Sequence, residues 1–258
     1  MHRMDMEEHT GQNSPRLGAL HDPQIAVRDA TGNTFFRSTP LTYLSLIILL
    51  AVYPGVSVLF DSDPSTLLKS LNEGTLMVLL LATIIMQWAI FLMTSVAAHT
   101  EGTGLAGLGF KKIRAMDFAW AIAFLLGANL ILSGLAWFLA QVGHPMPGEL
   151  QMLIPTTMPG RIIWVLVSLS AGFCEETAFR GYLMSRIRFV GETKSWLIPV
   201  ILSAVAFGAC HAYQGFPGLV VITVYGVMFA LLYLRTGSLW PCIIAHFFQD
   251  FSALFIPQ

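Results

Sequence analysis

Seven apolar stretches, each near the length that crosses a bilayer as a helix, alternate with short polar connections at 41–60, 75–98, 117–142, 161–187, 196–213, 216–234 and 238–256. A hydrocarbon core of about 30 Å takes about 20 residues of α-helix, the one open-chain structure that satisfies its own backbone polar groups in lipid. The pattern predicts an all-α, polytopic integral membrane bundle of about seven transmembrane helices over residues 41–258. Residues 1–40 differ: they are polar, mixed in charge and interrupted by Pro15, Pro23 and Pro40, and they read as a flexible N-terminal tail. The first apolar run comes too late for a cleavable signal peptide. Between the third and fourth stretches Pro145, Pro147, Pro155 and Pro159 forbid a long helix, leaving room at 143–160 for a short re-entrant segment.

Composition sharpens this picture. The chain has 258 residues, 55% hydrophobic and only 11% charged, against about 25% charged in soluble domains. A net charge of −1 offers no basic surface to nucleic acid. What matters is where the charges sit. Arg3, Arg16, Arg28 and Arg37 in the tail, Lys111, Lys112 and Arg114, then Arg186, Arg188 and Lys194, and finally Arg235 fall on one side of the predicted spans; the other side has only Lys69 and Arg161. Basic residues collect on the cytoplasmic side, so the N-terminus is expected in the cytoplasm and the C-terminus outside. Cys174, Cys210 and Cys242 are too few and too deep in apolar runs for a disulfide framework.

The first three stretches are nearly free of charge, with Gln87 and Asn129 as their strongly polar interior residues, and read as scaffold whose amides pack helices. The last four hold Glu175, Glu176, Arg180, His211, His246 and Asp250. Each Asp or Arg at a helix centre costs about 2.5–3.5 kcal/mol to insert, so such groups must meet and satisfy one another inside the bundle. Helical rise puts Glu175, His211, His246 and Asp250 at depths of roughly 12 to 22 Å, a shared layer. Glu176 and Arg180, four apart with the acid first, make a helical ion pair. Glu175, turned about 100° away, has no cation at i+3 or i+4 and is left free for a reacting group. His246 and Asp250 also share a face, and Phe207 packs one turn before His211. The remaining histidines (His2, His9, His21, His99 and His144) read as solvated.

The run from Cys174 through Glu175, Glu176 and Arg180 to Leu183 resembles the EExxxR motif of the CAAX protease and bacteriocin-processing (CPBP, or Abi) family of membrane endopeptidases. Phe207 to His211 is similar to that family's FxxxH and His246 to Asp250 to its HxxxN; the resemblance covers about residues 160–255, with Leu105 to Lys112 similar to the linker before the core. It implies an intramembrane endopeptidase acting on a peptide or protein, in some members a prenylated CAAX protein, within the lipid bilayer. By motif, Glu175 would activate water, His211 would assist, and His246 with residue 250 would stabilise the oxyanion. Asp250 stands where the family usually has an amide, and an ionised Asp would repel an oxyanion, so it must be protonated, paired, or used to orient His246. The cofactor is open: Glu175, His211 and His246 could bind a divalent metal such as zinc with one position left for water, and a metal-free glutamate mechanism uses the same residues.

Other chemistries find no motif. HExxH is absent, Ser133 lacks the upstream glycine of a rhomboid-like site, and Asp250 is the only Asp deep in a stretch. A haem held by His211 and His246 would leave Glu175 unexplained. The alternative of another class is a catalytically silent membrane immunity or regulatory protein that binds peptides without cleaving them.

Overall fold

The computed structural model describes residues 37–59 and 71–255. The predicted tail, apart from its last few residues, lies outside them, as do Arg3, Arg16, Arg28, Lys69, His2, His9 and His21 of the charge and histidine readings. The described residues form helices joined by turns, with no strand among them.

Seven main helices run in chain order: α1 (Pro40–Leu59), α2 (Glu73–Thr100), α3 (Ala115–Gln141), α4 (Met158–Val190), α5 (Leu197–Ala209), α6 (Gly215–Thr236) and α7 (Trp240–Ser252). They fall on the seven apolar stretches, yet among the described residues five helical segments are long and apolar enough to span a bilayer. The expected count of about seven is not confirmed at α5 and α7, which have 13 residues each and so measure about 20 Å. The sequence pattern ran through the turn at His211–Gln214 and the 3₁₀ turn Ala253–Phe255, which end these helices early. Between α3 and α4 the proline-rich segment holds one 3₁₀ turn, Gly148–Leu153.

Local signals fix the ends. Thr39 and Asn72 cap α1 and α2, each accepting a hydrogen bond from the backbone three residues on. Asp117 does the reverse for α3, accepting at 2.8 Å from Arg114 N–H. Thr157 caps α4, which has a proline in its first turn, as α7 does. Gly237 ends α6 with φ 60°, a conformation that glycine adopts without cost.

Helix α4 is the axis of the bundle. It packs against α2 on one side and α7 on the other, while α5 and α6 form a hairpin and α3 covers α6 and α7. In their most apolar windows α4 is 61% buried and α6 50%, against 11–22% for α1, α2 and α3. The outer helices therefore expose apolar side chains such as Ile85, Leu126 and Leu130, the surface a bilayer would cover. This is a multi-pass integral membrane protein. Close approach depends on two glycines of α4: a Cβ on Gly172 would stand 2.8 Å from Ile243 O of α7, and one on Gly181 2.5 Å from Leu108 O of the α2–α3 linker.

Candidate active site

The acidic pair of α4 stands just before a π-helical turn, Thr177–Leu183, where Met184 N–H reaches back five residues to Phe179 O. Such turns inside α-helices often accompany functional sites. Successive positions send the two carboxylates in different directions. Glu176 is fully buried and Arg180 nearly so. Glu176 Oε1 accepts from Arg180 Nη1 at 2.9 Å and from His246 Nδ1 at 2.8 Å. The helical ion pair is present, and α7 adds a second partner that helical spacing could not show.

Arg180 is held between rings, its Cζ 4.2 Å from the Phe207 centroid and 5.0 Å from that of Phe229. Phe207 is therefore the cation–π floor beneath the guanidinium as well as packing. Phe229 also stacks on His246 at 5.4 Å. The other nitrogen of His246, Nε2, faces Asp250 Oδ2 at 3.5 Å, an electrostatic contact too long for a good hydrogen bond. Asp250 is placed by its own backbone, whose carbonyl accepts from Trp164 of α4 at 2.9 Å.

Glu175 turns toward α2. Its Oε1 accepts from Gln87 Nε2 at 3.0 Å, whereas Oε2 has no hydrogen-bond partner among the described residues. The carboxylate lies within electrostatic reach of His211, His246 and Asp250. His211 follows the last turn of α5, and its Nδ1 sits 2.9 Å from Phe207 O. A carbonyl can only accept, so the proton is assigned to Nδ1 and Nε2 is left as a lone-pair acceptor.

Sequence reasoning missed three features. Gln87, read as a packing residue of the scaffold, touches the acid of the motif. Tyr225 OH is buried without a hydrogen-bond partner among the described residues. Glu101, at the end of α2, forms a buried cluster in which Oε2 pairs with Arg186 at 2.6 Å and Oε1 accepts from Thr42 and Tyr182. Arg186 is thus an internal ion pair rather than one of the loop charges. Polarity inside an apolar stretch was a usable signal for Gln87 alone.

Among the described residues no three His, Cys, Asp or Glu side chains converge as metal ligands, and both nitrogens of His246 face carboxylates. The cysteines are buried free thiols.

Residues 157–252 match the family model for Rce1-like proteins, described as type II CAAX prenyl endopeptidase Rce1-like. This segment is similar to the Rce1-like family, and the match spans less than half of the chain. No match emerged among curated proteins or solved structures. The matched segment covers α4 to α7 and hence Glu175, Glu176, Arg180, Phe207, His211, His246 and Asp250, while Gln87 and Glu101 lie outside it on α2 and its C-terminal end.

Proposed function

We propose that the chain is an intramembrane endopeptidase that hydrolyses a peptide bond with a water activated by Glu175, its substrate a peptide or protein of the prenylated CAAX type that the family description names. The observation that carries this reading is the division of labour between adjacent carboxylates: Glu176 is committed to Arg180 and His246, while Glu175 keeps a buried oxygen with no hydrogen-bond partner among the described residues.

In this mechanism water gives one proton to Glu175 Oε2 as its oxygen attacks the scissile carbonyl carbon, and its second hydrogen is held by His211 Nε2. Negative charge gathers on the former carbonyl oxygen. Glu176 fixes the proton on Nδ1 of His246, as the carboxylate of a hydrolytic triad does for its imidazole, and directs Nε2–H at the oxyanion. Asp250, 3.5 Å from the same ring, then serves to orient it. Breakage of the C–N bond sends the proton from Glu175 to the departing amine, which restores the carboxylate. The apolar bundle limits water at the site. In the same reading the connection bearing Lys111, Lys112 and Arg114 faces the cytoplasm, and with it the N-terminus.

The test is incubation of the detergent-purified protein with a prenylated CAAX peptide in ¹⁸O-labelled water. Release of the C-terminal tripeptide, with one label in the new carboxylate, is expected. An intact peptide after prolonged incubation with folded protein would overturn the assignment and favour the non-cleaving alternative.

A further inference from the structure

The geometry points to Gln87 of α2, outside the matched segment, as a positioning residue that selects which oxygen of Glu175 acts as the base. This inference rests on the role proposed for Glu175. Gln87 is 3% exposed and Glu175 9%, so neither has ready access to bulk solvent. Nε2 of Gln87 donates to Oε1 of Glu175 across 3.0 Å, a contact between residues 88 positions apart. A carboxylate has two equivalent oxygens and a rotatable χ3. The hydrogen bond removes that equivalence by tying Oε1 down toward α2, and Oε2 becomes the oxygen with a free lone pair.

The unsatisfied end of the amide argues against a merely structural contact. Among the described residues Gln87 Oε1 has no hydrogen-bond partner. A buried acceptor without a donor is a cost to folding, and an apolar side chain of the same length would join α2 to α4 without it. Among the described residues Gln87 is the one side chain that hydrogen-bonds to Glu175. Arg180 and His246 are bound to Glu176, Nδ1 of His211 to Phe207 O, and Trp88, next to Gln87 on α2, donates to Ser170 rather than to Glu175.

The experiment compares wild type, Gln87→Met, Gln87→Leu and Glu175→Gln, each purified in detergent and normalised to folded protein, on the prenylated peptide. Loss of an outer partner that orients a reacting group costs about 10- to 100-fold in activity. Gln87→Met is expected to lower kcat by that factor with KM changed by less than about threefold, and to melt at or above the wild-type temperature. Gln87→Leu should behave alike and serves if the Met variant folds poorly. Wild-type kcat in either folded variant, or a loss confined to KM or to folded yield, would overturn the positioning role. The Glu175→Gln arm separates the failures: its full activity would overturn the base assignment and this inference with it, whereas an inactive Glu175→Gln beside a fully active Gln87→Met would overturn this inference alone.

Discussion

Replacing Glu176 with alanine should damage the fold more than any change at Glu175. Arg180 is 1% exposed and, among the described residues, its one carboxylate contact is Glu176, at 2.9 Å. Removing one partner of a buried ion pair leaves an uncompensated charge and costs about 3–5 kcal/mol. The guanidinium would keep its positions over Phe207 and Phe229, and such contacts are worth about 2 kcal/mol when desolvated, which places the expected loss near the lower bound, about 3 kcal/mol. That is roughly a hundredfold in the folding equilibrium. Glu175→Gln, by contrast, keeps the side-chain length and an acceptor for Gln87, and should stay within about 1 kcal/mol of wild type. The assay is the folded fraction on size exclusion after a temperature series in detergent, run side by side on Glu176→Ala, Arg180→Ala and Glu175→Gln. Equal melting of Glu176→Ala and Glu175→Gln would refute the assignment of Glu176 as the charge partner that the bundle needs.

Other outcomes follow from the same contacts. Gly172→Ala should lower stability by about 1–3 kcal/mol, the usual cost of overpacking, because its Cβ would meet backbone atoms of α7 that cannot rotate away; thermal unfolding of the variant checks it, and an unchanged midpoint would contradict the close α4–α7 packing. His211→Phe should fold and lose activity by about 100-fold or more, in the range typical of lost proton-transfer assistance, as measured by kcat on the prenylated peptide. Asp250→Asn should retain activity within about tenfold and Asp250→Ala lose about 10- to 100-fold, since an amide can still orient His246 and a methyl cannot; equal rates for the two variants would remove Asp250 from that role.

The candidate site was legible wherever a charge stood inside an apolar stretch. Glu175, Glu176, Arg180, His211, His246 and Asp250 all announced themselves by the cost of burying them, and the four-residue spacing of Glu176 and Arg180 gave their pairing. What stayed hidden depends on contacts between helices. Spacing suggested Asp250 as the partner of His246, yet the shorter contact is to Glu176 on α4, at 2.8 Å against 3.5 Å. Gln87 was visible as a polar residue, but its partner on α4 is set by how α2 leans on that helix. Glu101 ends a helix beside the exposed His99, and nothing local separates it from a solvated acid. Hydropathy likewise located all seven helices and overstated two, because an apolar turn and an apolar helix look the same to it.

The central claim is that the Glu175 carboxylate removes a proton from the attacking water. Single-turnover cleavage of the prenylated peptide by equal amounts of folded wild type and Glu175→Gln addresses it directly. The mechanism predicts a rate at least about 10²–10⁴-fold lower for the variant, the span that general-base catalysis supplies. A variant that cleaves within tenfold of wild type, with its fold intact, would contradict it.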